Sequence, residues 1–581
     1  MPSEPASAAS QSEPGYDLLI RGGSVVSVFT GETFPADVGI RGETIAAVLV
    51  PGSIDPGQAT EVVDATGMTV APGYIDAHIH VESSFVTPAS FAWLTLPRGT
   101  TTVLADPHEI VNVAGKPGLR WMIEAGQGTG QTILYGVPSC VPALLGFETA
   151  GTEFSADHIS EMLDWPGVIG LGEVMDYRAV VRGDERMREI VAAARAKGKL
   201  IDGHCTNLTG AELSTYLAEG IDSDHTKNPV EIHVEKARMG MLVMIQEKSV
   251  RPELFAALAA LPIQPPLCLV TDDVAPDAVA EHGHLDHVAR EAVKAGMPPL
   301  EALRAMTWTP AQRLRLYDRG IVSPGKRADL VLLPELASFA PAVVISGGRV
   351  VARDGASVFP EPTNPGLPFR DTVKIGHLSA DDFRWRLEVP DGEAQVTAIR
   401  ANPIDTATRP DSLMLPISAG EVEWEGGGTA LLTITERHGR AFTRSAVPLL
   451  GFELGEGAVA TTYSHDSHNL TTIGTSRAAM ALAANTVLAA GGGIAVVHGD
   501  RVAAFLPLPV GGLMSDRPVA EVVAAAKAVR AALHAWGYRH ANAFMSVSTL
   551  SLPVSPSLKL TDQGLVDVDR RAWADAVASH V

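Results

Sequence analysis

Tyr74-Ile75-Asp76-Ala77-His78-Ile79-His80 is the stretch whose reading decides the fold. An apolar run that follows the turn signal Pro72-Gly73 and ends in polar residues reads as a buried strand with its chemistry at the C-terminal end. Side chains alternate faces along a strand, so His78 and His80 point one way and Ile79 the other. Two imidazoles on one face can grip one metal ion. Eighteen histidines are spread over 581 residues, and this spacing also arises by accident. The neighbouring strands must therefore decide.

Downstream of this stretch, short buried strands alternate with helix-compatible segments, the pattern of parallel β/α architecture. Eight strand candidates end near His80, Asp106, Pro138, Glu173, His204, His225, Gln246 and Asp272. Thr102-Val103-Leu104-Ala105-Asp106 is typical of them, and Arg186 to Lys197 is a typical helix, with Ile190, Val191 and Ala194 as its apolar stripe. Eight strands in roughly 200 residues predict a (β/α)8 barrel, whose chemistry sits at the C-terminal strand ends. A doubly wound sheet would want a Gly-x-Gly-x-x-Gly loop after an early strand, and none is present.

On either side of this unit, apolar runs such as Leu18-Leu19-Ile20 and Asp329-Leu330-Val331-Leu332-Leu333 are punctuated by glycine turns. The expected organisation is an α/β barrel over 71–320 inserted into a small β-sandwich composed of 16–70 and 321–361. The first 15 residues, rich in Ser, Pro and Glu, read as a disordered tail without a secretory signal. A Pro-rich linker from Pro362 to Pro368 leads to a C-terminal α+β domain over 369–581. There Val396 to Arg400, Ala430 to Thr435 and Ile494 to Val497 read as strands, and Val519 to Trp536 as an amphipathic helix. The apolar stretch from Met480 to Val497 is broken by Asn485 and Gly491-Gly492-Gly493, so it reads as a helix, a turn and a strand rather than a membrane span.

Lys and Arg total 45 against 67 Asp and Glu, a formal charge of −22 dispersed along the chain, which argues against a nucleic-acid partner. Cys140, Cys205 and Cys268 are the only cysteines, widely spaced and without a Cys-x-x-Cys. Neither a disulfide framework nor a thiolate zinc site follows, and a reducing cytoplasm is expected.

Metal-ligand residue types recur at the ends of the expected strands: His78 and His80 on the first, Glu173 on the fourth, His204 on the fifth, His225 on the sixth and Asp272 on the eighth. Each has a plain reading alone: Glu173 as a salt-bridged strand end, the histidines as interior side chains, Asp272 as a helix N-cap. Together they make a ligand set for two divalent ions, which at a barrel mouth share a bridging carboxylate and a bridging hydroxide. Iron, manganese and zinc all accept such a mixed imidazole and carboxylate set.

At these positions the chain resembles the amidohydrolase superfamily, and within it the bacterial adenine deaminases. The resemblance is carried by His78-Ile79-His80-Val81-Glu82-Ser83-Ser84, by Ala105-Asp106-Pro107-His108-Glu109-Ile110-Val111-Asn112-Val113 and by Gly172-Glu173-Val174-Met175. In the C-terminal region it is carried by Ser464-His465-Asp466-Ser467-His468-Asn469 and Leu508-Pro509-Val510-Gly511-Gly512-Leu513-Met514-Ser515-Asp516. Glu173 stands where hydantoinase-like members carry a carbamylated lysine, and the His-x-Glu with Pro-Cys-x-x-Cys of other deaminases is missing. Two departures from the family pattern flank the ligands: Cys205-Thr206-Asn207 after His204, and Thr226 after His225.

The resemblance implies hydrolytic deamination of adenine to hypoxanthine and ammonia, manganese or iron as the two metals, a small purine base as the partner, no membrane association and a homodimer. Asp272 is the expected proton carrier. Glu109 and His108 are candidates for the acid at ring nitrogen N1 or for ring recognition, with Glu82 and Asp273 behind them as substrate contacts or as supports of neighbouring ligands. His465, Asp466 and His468 form a further polar cluster, either another metal site or part of a domain that closes the barrel mouth. Rival expectations are an amidohydrolase acting on another amino-heterocycle or an N-acyl group, and a non-catalytic binding protein.

Overall fold

The computed structural model describes residues 15–363, 366–426 and 428–580. The tail expected over 1–15 lies outside the described residues except for Gly15, as does the 364–365 portion of the linker. All eight expected strands of the central unit are present: β1 (Tyr74–Ile79), β2 (Thr100–Ala105), β3 (Thr132–Val137), β4 (Val168–Val174), β5 (Leu200–Gly203), β6 (Ser223–Asp224), β7 (Leu242–Ile245) and β8 (Leu267–Leu269). Every residue of β1 and β2 is buried, as parallel strands covered on both faces require.

Hydrogen bonding divides these strands into a curled parallel sheet ordered β5-β4-β3-β2-β1 and a second parallel sheet, β6-β7-β8. Beyond β8, Asp272 N–H donates to the His78 carbonyl at 3.2 Å, which brings the end of β8 against β1. Between β5 and β6 the backbone ladder is replaced by side chains. Gly203 N–H donates to Ser223 Oγ at 3.1 Å and Cys205 N–H to Asp224 Oδ1 at 2.9 Å. A Cβ at Gly203 would stand 1.9 Å from the Ser223 carbonyl oxygen, so only glycine allows this approach.

The segments expected to form a sandwich are hydrogen-bonded into one nine-stranded sheet. Leu330–Leu333 from after the insertion pairs with Thr69–Pro72 from before it. Leu18, Ile20, Val38, Ile40, Leu330 and Leu332 pack together on one side of it.

The C-terminal region contains a ten-stranded sheet with Gly392–Ala401, Ala430–Thr435 and Gly493–His498 among its strands, and the helices Arg477–Ala489 and Val519–Trp536. Val522, Ala526 and Val529 of the latter are buried and Val523 is half-buried. One apolar core runs from the central unit into this region, joining Phe85, Ile110 and Val111 to Leu432, Tyr463 and Phe544. Polar contacts add to it: Ser515 N–H donates to the Phe85 carbonyl at 2.7 Å, and Arg530 grips Asp277 at 2.7 and 3.0 Å. The loop 464–469 is thereby held over the C-terminal ends of β1, β2 and β4. Its scaffold is Arg437, fully buried, which donates to the carbonyls of His468 and Gly511 at 3.1 and 2.7 Å. The three cysteines are buried and free, and no helix among the described residues is long and apolar enough to cross a membrane.

Candidate metal centre

The six expected ligands converge. His80 Nε2 lies 3.3 Å from Glu173 Oε1 and 3.3 Å from Asp272 Oδ1, and His78 Nε2 lies 3.8 Å from the same Asp272 oxygen. Glu173 turns its other oxygen, Oε2, to His204 Nδ1 at 2.6 Å and to His225 Nε2 at 3.2 Å. Glu173 thus stands between two groups of imidazoles. His78 and His225 stack with ring centroids 3.8 Å apart, which fixes both ring planes. Asp272 does not cap the next helix, which begins after Ala275. Its backbone takes a φ of +59°, a left-handed conformation that turns the carboxylate back over the strand ends.

The charge pattern calls for cations. Burial favours neutral carboxyl groups, yet protonated His204, His225 and His80 hold Glu173 well below the usual carboxylate range through charge and hydrogen bonds. Asp272 is likewise held low against its burial by Lys248, whose Nζ is 3.5 Å from Asp272 Oδ2, and by His80.

Hydrogen bonds also fix the imidazole tautomers. His78 Nδ1 lies 2.7 Å from Asp202 Oδ2, and His80 Nδ1 lies 3.0 Å from the Asp106 carbonyl. Both partners are acceptors, so both Nδ1 atoms carry the proton, and in the neutral rings both Nε2 atoms offer lone pairs. Those two atoms face each other at 3.1 Å. The proton that His80 Nε2 shares with Glu173 and Asp272 is one that a divalent ion can displace, and the donor types suit manganese, iron or zinc.

Several supporting residues were not assigned from sequence. Asp202 orients His78, and Asp106 Oδ2 accepts from Glu173 N–H at 2.7 Å. Gln246 donates to the His225 carbonyl at 2.9 Å. Asp202 had a signal, since it sits two residues before His204 on a strand end, and Asp106 ends an expected strand. Lys248 lies in a short turn after β7 with no pattern to mark it.

The expected substrate residues surround the same mouth. His108, Glu109, Glu82 and the half-buried Asp273 are all there, and Glu109 comes close enough to His80 and His108 for one ion to touch all three. Both Glu109 carboxylate oxygens are buried without a hydrogen-bond partner among the described residues. Burial and the neighbouring Glu82 carboxyl push Glu109 well above the usual range, and burial pushes Glu82 up too. Glu82 Oε1 accepts from Ile110 N–H at 3.3 Å. Asp273 Oδ1 accepts from Ser83 Oγ at 2.5 Å, and Ser83 Oγ meets the Tyr463 hydroxyl of the C-terminal region at 2.8 Å. Of the C-terminal cluster, His465 and Asp466 reach His108, whereas His468 turns inward and its Nδ1 accepts from Ser464 N–H at 3.0 Å.

Comparison with known proteins places this arrangement in a lineage. Residues 69–351 match the Amidohydrolase family and residues 405–572 match the Adenine deaminase C-terminal domain. The chain is 41% identical to Adenine deaminase 2 of Rhizobium meliloti (strain 1021) over 97% of this chain and 95% of that one. It is 39% identical to Adenine deaminase of Moorella thermoacetica over 97% and 96%. Among solved structures, a zinc-bound adenosine deaminase from Xanthomonas campestris aligns over 60% of this chain and 95% of its own, at 16% identity and a TM-score of 0.44. On the full-length likeness to the curated relatives, the chain belongs to the adenine deaminase family of amidohydrolases.

Proposed function

We propose that this chain hydrolyses adenine to hypoxanthine and ammonia at a binuclear metal centre in the mouth of a closed (β/α)8 barrel. The observation that carries the reading is the convergence of His78 Nε2 and His80 Nε2, 3.1 Å apart, on Glu173 and Asp272, in a chain related over nearly its full length to adenine deaminases. His78, His80 and Asp272 would hold one ion and His204 and His225 the other, with Glu173 between them. Two divalent ions there, manganese or iron by family resemblance and zinc by donor chemistry, would supply Lewis-acid activation of water at neutral pH.

The remaining chemistry falls to the protein. Attack of water on C6 would leave negative charge on the ring unless N1 is protonated. Glu109, buried and kept neutral, is the acid for N1. Asp272, kept ionised, accepts a proton from the attacking water and passes it to the departing amine. The C6–O bond forms and the C6–N bond breaks; one water hydrogen leaves on ammonia by way of Asp272, and the other, released as the C6 hydroxyl becomes a carbonyl, replaces the proton that Glu109 gave to N1. Asp273 has one oxygen engaged by Ser83 and the other left to accept from a purine N–H. Burial, helped by the neighbouring Glu82 carboxyl, raises Glu109 and favours its protonated form.

The test is ammonia release from adenine by the manganese-loaded protein, beside a panel of amino-heterocycles and N-acyl amines. Saturable turnover of adenine above the rest of the panel is expected. Turnover of another member with none of adenine would replace the substrate assignment.

A further inference from the structure

We propose a third divalent-cation site, separate from the binuclear centre, formed by His108 of the central unit with His465 and Asp466 of the C-terminal region. Asp466 is fully buried, and neither of its carboxylate oxygens has a hydrogen-bond partner among the described residues. The same holds for both ring nitrogens of His108. Unpaired polar atoms at such depth are costly, and a buried carboxylate most of all.

The spacing is that of ligands around an ion. His108 Nε2 stands 3.7 Å from Asp466 Oδ1, and His465 Nδ1 stands 3.3 Å from the same oxygen. The first is too long for a hydrogen bond. Donors about 2.1 Å from a common cation lie roughly 3.4–3.7 Å apart at angles near those of tetrahedral or trigonal coordination.

A chain of hydrogen bonds sets the protonation of His465. Ser83 Oγ donates to the Asp273 carboxylate at 2.5 Å, so its oxygen accepts from the Tyr463 hydroxyl at 2.8 Å. The Tyr463 oxygen is then free to accept from His465 Nε2 at 3.0 Å. With its proton on Nε2, neutral His465 presents the Nδ1 lone pair to an Asp466 oxygen that is also an acceptor. Two acceptors aimed at each other, with a third ring nitrogen converging, leave a gap that a cation fills. The imidazole and carboxylate donors select a transition metal over magnesium or calcium. An ion there would tie the C-terminal loop to the helix His108–Ala114, locking the two regions together over the barrel mouth.

The test uses full-length protein loaded with Mn²⁺ alone, passed through a desalting column and assayed for bound metal by mass spectrometry. Three ions per chain are expected in the wild type and two in Asp466→Asn and His465→Gln. A wild type that retains two ions, or three that persist in both variants, overturns the site. Should the variants misfold, wild-type holoprotein crystals measured at the manganese edge decide. An anomalous peak within bonding distance of Asp466 Oδ1 supports the proposal, and peaks confined to the Glu173 centre overturn it.

Discussion

His78 Nε2 and His80 Nε2 face each other at 3.1 Å while each ring gives its Nδ1 proton to an acceptor, Asp202 for one and the Asp106 carbonyl for the other. Without a metal ion a proton on His80, whose basicity Glu109, Asp272 and Glu173 raise against its burial, has to hold this cluster together. Metal removal is therefore expected to cost stability as well as activity. Dialysis against a chelator should lower Tm by several degrees, and Mn²⁺ should restore both Tm and turnover, since a ligand bound only to the folded state stabilises it by mass action. Loss of activity at unchanged Tm would mean that the ions contribute nothing to holding the strand ends together.

Asp202 touches no proposed substrate, yet it fixes the His78 tautomer. Its carboxyl is held at about 2, because the charge and hydrogen bond of His78 outweigh the effect of burial. In Asp202→Asn the amide presents an N–H to the ring as readily as a carbonyl, so the lone pair on Nε2 is no longer enforced. Manganese affinity, measured by competition with a chromophoric chelator, is expected to fall about 10- to 100-fold, the usual effect of losing a support behind a metal ligand. Unchanged affinity would remove Asp202 from the site.

Gly172 makes room for Asp106. A Cβ there would stand 2.2 Å from Asp106 Oδ2, the atom that accepts from Glu173 N–H. Gly172→Ala should displace the Asp106 carboxylate and with it the Glu173 backbone, at a cost of about 1–3 kcal/mol of folding stability. The diagnostic readout is metal content. Loss of bound manganese in protein whose circular dichroism is intact is expected, whereas full occupancy would show that Glu173 is held by its ligand contacts alone.

The central β/α unit was legible because two periods coincide in the sequence: apolar runs of strand length, and ligand types returning at the run ends. His78, His80, Glu173, His204, His225 and Asp272 were all found this way, and the structure brings all six together. Less was legible where position comes from tertiary contact. Lys248 reaches Asp272 from a short turn, and His465 reaches His108 only because the C-terminal region packs against the central β/α unit. The β5–β6 junction shows the same limit. Its backbone groups bond to Ser223 and Asp224 side chains, and no strand pattern announces that replacement.

Glu109 is expected to act as an acid. A buried carboxyl raised well above its usual range is protonated at neutral pH and loses its proton only as pH rises, so kcat/KM in the wild type should fall on the alkaline side. Glu109→Gln removes the proton but keeps the shape. The variant should lose about 10²–10⁴ in kcat, the contribution typical of general acid catalysis, together with that alkaline limb, while retaining its metal. A variant with near wild-type kcat and the same pH profile would reassign the N1 proton to another group.

Glu148 offers a pH test outside the Glu173 metal centre. Burial, reinforced by the nearby Asp466 and Asp562 carboxylates, raises its carboxyl from 4.5 to about 8, and its Oε1 accepts from Leu144 N–H at 2.9 Å. The folded state therefore keeps a proton that the unfolded state releases, and stability falls as pH rises from about 4.5 to about 8. Glutamine in its place keeps the acceptor and never ionises. Glu148→Gln is expected to match the wild-type Tm near pH 5 and to exceed it near pH 8. The difference there should be worth roughly a few kcal/mol, since a tenfold change in proton affinity is worth about 1.4 kcal/mol. Equal melting temperatures at both pH values would show that Glu148 is ionised and solvated in the folded protein. A cation bound at Asp466 would itself offset part of the charge that raises Glu148, so the Tm difference between variant and wild type should shrink when Mn²⁺ is added.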